Sequence, residues 1–81
     1  MMIEIQLLAT FSSYLPPSSP GRKCTLEVPE GATVAEVITR LGLPADHPKI
    51  ILRNGMNVSE GTPLAEGDLV SVFPPLAGGT G

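Results

Sequence analysis

Thr33-Val34-Ala35-Glu36-Val37-Ile38-Thr39-Arg40-Leu41-Gly42-Leu43-Pro44 is the stretch whose reading decides the fold. Its first four residues match a capping box. The Thr33 hydroxyl can accept from the Glu36 backbone N–H while the Glu36 carboxylate reaches back to the Thr33 N–H. Val34, Val37, Ile38 and Leu41 recur at i, i+3, i+4 and i+7, which lays one apolar stripe along a helix. Gly42 suits the left-handed position that ends a helix, and Pro44 forbids continuation. The spacing predicts a helix of about three turns with a single face to bury. Glu36 is accounted for as a cap. One such helix cannot make a core alone, so the rest of the chain must supply the surface it packs on.

The flanking sequence reads as strands. Met2-Ile3-Glu4-Ile5-Gln6-Leu7 alternates apolar and polar, as a half-buried strand does. Cys24-Thr25-Leu26-Glu27-Val28 alternates again, with Cys24, Leu26 and Val28 facing inward. Between them, Ser12 to Gly21 holds Pro16-Pro17 and Pro20-Gly21 and reads as a wide hairpin loop. After the helix, Asp46-His47-Pro48 is a polar connector. Lys49 to Arg53 reads as a strand buried around Ile50 and Leu52. Asn54-Gly55 is a strong two-residue hairpin signal, returning through Met56-Asn57-Val58. Gly61-Thr62-Pro63-Leu64 and Ala65-Glu66-Gly67-Asp68 are turns, the second setting up the last strand, Leu69-Val70-Ser71-Val72-Phe73. Pro74-Pro75 ends that strand, because two adjacent residues lack the N–H a ladder needs. The order β-β-α-β-β-β predicts an α+β fold: a mixed sheet with one main helix across a face, the first and last strands side by side and parallel. That is the β-grasp, ubiquitin-like arrangement. The domain is expected over residues 1–75, with 76–81 as a flexible tail.

Composition narrows the function. The chain has 81 residues, room for one domain and one thin core. Apolar residues are 42% and charged residues 16%, a globular balance. The net charge is −3 and the five basic residues are scattered, which excludes the basic stripe that nucleic acid requires. A mildly acidic body instead matches a partner with a basic docking surface. The single cysteine, Cys24, permits no internal disulfide and no cysteine-based metal site, and suits a reducing, cytoplasmic setting. The longest uninterrupted aliphatic runs are of three residues, such as Ile50-Ile51-Leu52, so no membrane span is expected. Glu4 and Gln6 interrupt the first apolar stretch and no basic leader precedes it, unlike a signal peptide. No catalytic set, metal-ligand cluster or phosphate-binding glycine loop is visible. Cys24 reads as a small core hydrophobe rather than a nucleophile. His47 has only Asp46 beside it, too little for a catalytic or metal site.

What remains is the end of the chain. Pro74-Pro75 stiffens the exit, Leu76 is a lone apolar residue, and Ala77-Gly78-Gly79 carries almost no side-chain volume. Three stretches then resemble the MoaD/ThiS family of ubiquitin-like sulfur carriers. They are Arg53-Asn54-Gly55 at the family's short hairpin, Leu64-Ala65-Glu66-Gly67-Asp68-Leu69-Val70 at its turn and strand entry, and Phe73-Pro74-Pro75-Leu76-Ala77-Gly78-Gly79 at its Pro-Pro-x-Ala-Gly-Gly ending. The double proline and the length resemble the small subunit of molybdopterin synthase more than the thiazole-synthesis carrier. The resemblance implies no catalytic residues and no bound cofactor. A partner enzyme uses ATP to adenylate the C-terminus, and a sulfur donor converts it to a thiocarboxylate. Gly79 would bear the sulfur, with Pro74, Pro75, Leu76, Ala77 and Gly78 recognised as the tail. The implied partners are an adenylating, E1-like enzyme and either the molybdopterin synthase large subunit or another sulfur acceptor. Glycine fits such chemistry physically, since without Cβ the arm can thread a narrow channel to the nucleotide. Thr80-Gly81 departs from the pattern. It implies either a trimming protease that exposes Gly79, or Gly81 as the activated terminus, or loss of the chemistry. Other readings stay open: a carrier for thiazole, an amino acid, tRNA or a tungsten pterin; a ubiquitin-like modifier or binding module without sulfur chemistry; and, with no constellation to support it, a stand-alone enzyme.

Overall fold

The computed structural model describes residues 1–8, 11, 14, 23–44 and 48–75. Six elements follow one another: β1 (Met2–Leu7), β2 (Lys23–Glu27), α1 (Val34–Leu41), β3 (Ile50–Arg53), β4 (Met56–Asn57) and β5 (Leu69–Phe73). The order is the expected one. The strands form one sheet in the spatial order β2-β1-β5-β3-β4. β1 and β5 lie parallel at its centre, with Ile5 beside Val70 and Leu7 beside Val72. β2 pairs antiparallel with β1, and β3 pairs antiparallel with both β5 and β4. This is a β-grasp.

Strand alternation sends Ile3, Ile5, Leu7, Val70 and Val72 to one face. There they form one core with Val34, Val37 and Ile38 of α1. Val28, Ala32, Leu43, Ile51, Leu64 and Phe11 complete it. Cys24 and Leu26 are half-buried at its margin.

α1 spans eight residues, a little shorter than expected, because both ends are fixed. The Thr33 N–H donates to Glu36 Oε1 at 3.1 Å, and the Glu36 N–H reaches Thr33 Oγ1 at 3.4 Å. The next free N–H groups of the first turn are taken by the 59–63 loop. Val34 donates to the Thr62 carbonyl and Ala35 to the Glu60 carbonyl, at 3.0 and 2.8 Å. At the other end Gly42 sits at φ 80°, and the Leu43 N–H donates back to the Ile38 carbonyl. Replacing Thr33 by alanine removes the hydroxyl cap and should cost about 1 kcal/mol, read as a lower urea midpoint at unchanged slope.

One expectation is corrected. In β3 the residue that enters the core is Ile51, while Ile50 and Leu52 are half-buried. The register explains it: Ile51 lies beside Val72 on the helix side, whereas Ile50 and Leu52 lie beside Phe73 and Ser71 on the opposite face. A three-residue apolar run has no alternation from which to read the parity. Cys24 and Leu26 do lie on the core side, as the alternation of β2 predicts, beside Ile5 and Ile3.

Candidate functional site

β5 is the strand that delivers the chain to its end. Its last residue, Phe73, pairs with Ile50 of β3; Pro74 is half-buried and Pro75 exposed, and neither continues the ladder. On the face away from α1, the half-buried residues Leu69, Phe73, Ile50 and Leu52 form a largely apolar strip across β5 and β3, with the buried Ser71, which donates to Gln6 Oε1 at 3.3 Å, between Leu69 and Phe73. The same face of β1 and β2 is mostly polar, presenting Glu4, Gln6, Lys23, Thr25 and Glu27 beside the exposed Met2. The sheet thus offers an apolar half that runs to the point where the chain leaves it. Of the tail residues singled out in the sequence, Pro74 and Pro75 lie where expected. Leu76, Ala77, Gly78, Gly79 and Gly81 lie outside the described residues, as do Asp46 and His47.

A second polar cluster sits at the other end of β5. Asp68, only 6% exposed, is enclosed by donors. Arg53 Nε donates to its Oδ2 at 2.7 Å, the Ala65 N–H to the same oxygen at 2.8 Å, and Asn54 Nδ2 to its Oδ1 at 3.0 Å. Asn54 closes the circuit, its Oδ1 accepting from the Leu69 N–H at 2.9 Å and its own N–H donating to the Leu69 carbonyl at 2.8 Å. Burial alone pushes the Asp68 carboxyl up. The hydrogen bonds from Arg53, Asn54 and Ala65, with the adjacent guanidinium charge, outweigh it and hold the carboxyl below the ordinary aspartate range. Asn54 and Gly55 both have positive φ, 52° and 87°, the two-residue turn that the pair predicts. Two of the three stretches that carry the family resemblance are therefore one structure: the β3–β4 turn is tied through Asp68 to the turn that launches β5. Sequence reading treated Gly67-Asp68 as a turn alone and missed this role. The available signal was a carboxylate with Arg53-Asn54 fifteen and fourteen residues before it, and only the pairing of β3 with β5 makes that spacing meaningful.

Nothing among the described residues resembles a catalytic centre. Cys24 is half-buried and burial pushes its thiol up, which leaves it a poor nucleophile at neutral pH. Among the described residues no group of three or more His, Cys, Asp or Glu could hold a metal ion, and no helix is long and apolar enough to cross a membrane.

The ThiS family model matches residues 18–79, most of the chain and all of its last strand. The chain belongs to the ThiS family. ThiS-family proteins are ubiquitin-like sulfur carriers that do no catalysis themselves, in keeping with the β-grasp body. No curated protein sequence gives a significant match. Among solved structures the chain is similar to SAMP1 from Haloferax volcanii, at 26% identity and TM-score 0.72, covering 96% of this chain and 99% of that one. It is similar to a putative molybdopterin converting factor, subunit 1, from Pyrococcus furiosus, at 26% identity and TM-score 0.72, covering 93% and 98%. It shares the fold of a chain in the complex of subunits 1 and 2 of molybdopterin-converting factor from Helicobacter pylori, at 20% identity and TM-score 0.63, covering 96% and 99%. The neighbours thus include both a small archaeal modifier and molybdopterin subunits.

Proposed function

We propose that this chain carries sulfur as a thiocarboxylate on Gly79, for molybdopterin synthesis in the cytoplasm. The observation that carries the reading is the coincidence of the family match with the diglycine. The match runs to Gly79, and the stretch before it leaves the sheet at Phe73-Pro74-Pro75 beside an apolar strip. In the chemistry, a Gly79 carboxylate oxygen attacks the α-phosphorus of ATP within the activating enzyme, and pyrophosphate leaves. A sulfide-level donor then attacks the acyl carbon, AMP leaves, and the thiocarboxylate remains. The thiocarboxylate sulfur attacks the acceptor, displacing an oxygen leaving group, and water then cleaves the acyl carbon–sulfur bond, which leaves sulfide-level sulfur on the acceptor and a carboxylate on Gly79. The apolar strip of β5 and β3 docks the body, and Pro74-Pro75 aims the arm. The partners on this reading are the adenylating enzyme and a large synthase subunit, as in the subunit 1 and 2 complex of the Helicobacter pylori protein.

Two residues follow the diglycine, so Gly79 becomes a terminus only by cleavage after it, and a trimming protease belongs to the pathway. The test is intact-mass analysis after incubation with a ThiS-family activating enzyme, ATP and a sulfur donor. A chain ending at Gly79 should exchange one oxygen for sulfur, and the chain with Thr80-Gly81 should not. If the trimmed chain stays unchanged, sulfur carriage is wrong. The similarity to SAMP1 favours a second reading, a modifier joined through Gly79 to lysine side chains. Isopeptide-linked Gly79 in cell lysate would support that one.

A further inference from the structure

β2 is an outer strand of the sheet, and the hydrogen-bond phase shows which of its backbone groups face away from β1. Met1 and Val28 exchange both N–H···O bonds, at 2.7 and 2.8 Å, so theirs is a hydrogen-bonded pair. Two residues on, Ile3 with Leu26 and Ile5 with Cys24 share that phase. Glu4 sits beside Thr25 but sends its N–H the other way, to the Asp68 carbonyl at 2.8 Å. The backbone groups of Lys23, Thr25 and Glu27 therefore point outward, away from β1. Among the described residues, Arg40 Nη2 donates to the Glu27 carbonyl on that edge at 2.9 Å, and a carbonyl has a second lone pair to offer.

We infer that this edge pairs with β2 of a second copy, antiparallel and centred on Thr25. A two-fold axis there sets Thr25 opposite Thr25 as a hydrogen-bonded pair. The next outward-facing residues then meet across the axis, Lys23 of each copy against Glu27 of the other. That register joins opposite charges twice and opposes threonine to threonine, both favourable cross-strand pairs. It also brings half-buried Cys24 of each copy beside half-buried Leu26 of the other, extending the apolar margin of the core. Lysine on an outer strand ordinarily guards it against association; here its partner at the matching register is Glu27. Moving the two-fold axis by two residues, onto Lys23 or onto Glu27, would set the Lys23 residues, or the Glu27 residues, against each other. The edge is five residues long, well short of the ~800 Å² per partner of a standard interface. The dimer is accordingly weak, with Kd on the order of 0.1–1 mM. It leaves β5, the apolar strip and the chain exit free, so pairing and tail chemistry do not compete.

The test is sedimentation and concentration-dependent amide shifts on the intact chain up to roughly 3 mM, above the expected Kd. The wild type should show a rising average mass, with shifts centred on Thr25. Lys23→Glu and Glu27→Lys each place like charges across the axis, and each should weaken pairing about tenfold or more. Mixing these two variants should restore it, because one carries acids and the other bases at both positions. The double variant Lys23→Glu/Glu27→Lys should also dimerise. Lys23 and Glu27 are exposed, so all these chains should fold alike. A wild type that stays monomeric at the highest concentration overturns the proposal. So does a dimer indifferent to the charge reversals, or a Thr25 amide that moves only when a different protein is added.

Discussion

Asp68→Ala is expected to lower the stability of the domain by about 3 kcal/mol, roughly 15 °C in melting temperature. Alanine leaves the Arg53 guanidinium, the Asn54 amide and the Ala65 N–H without their acceptor, and an orphaned buried donor costs more than a lost hydrogen bond returns. Arg53 keeps 35% of its side chain in contact with water, which is why the loss should fall at the low end of the ~3–5 kcal/mol seen when a fully buried pair is broken. Against a total of about 4–12 kcal/mol for a chain of this size, the change removes a large share. Asp68→Asn should cost less, since its amide oxygen still accepts, but it cannot keep both oxygens as acceptors. The Asp68 carboxyl titrates below its unfolded range when folded. Its stabilisation is thus fully present above about pH 4 and is lost as pH falls through the folded value. The gap in stability between wild type and Asp68→Asn, measured by urea unfolding, should shrink as pH drops from about 6 to below 3. A gap that is constant, or that widens in acid, would remove the charge from the account.

The fold was legible because its signals agree. The capping box, the stripe of Val34, Val37, Ile38 and Leu41, and Gly42 all specify the same helix, and the structure has each of them. The alternation of β1 and the Asn54-Gly55 turn are equally local. What escaped was non-local. The inward residue of β3 could not be read from Ile50-Ile51-Leu52, since that parity is set by the neighbour strand β5. The Asp68 network escaped for the same reason, because its donors come from β3 and from the turn before β5. The role proposed for the tail rests on its chemistry rather than on its structure. Glycines 78 and 79 carry no side chains from which packing could be read, and the role proposed for them depends on a partner that the sequence does not contain. The apolar strip on the open face has a related origin: Leu69, Phe73, Ile50 and Leu52 become one surface only when β5 and β3 pair.

A chain ending at Pro75 should separate the body from the arm. The last ladder pair is Phe73 with Ile50, two residues before the cut. The truncated domain should melt within about 2 °C of the full chain, as expected when the cut falls beyond the last ladder pair. Loading should nevertheless be abolished: the only terminal carboxylate is then that of Pro75, four residues short of Gly79 and without the glycine arm that reaches the nucleotide. The informative measurement is competition. Added in excess, the truncated body should slow sulfur loading of a chain ending at Gly79, because both present the strip of Leu69, Phe73, Ile50 and Leu52 to the same activating enzyme. Phe73→Asp in the truncated body should abolish that inhibition, since the charge would have to be desolvated in the contact. If the truncated body does not compete, recognition resides in the arm and the sheet face has some other use. If it competes equally well with Phe73→Asp, the body is recognised elsewhere. Only competition that depends on Phe73 joins the strip to the arm as one device, a rigid face that finds the enzyme and a thin strand that enters it.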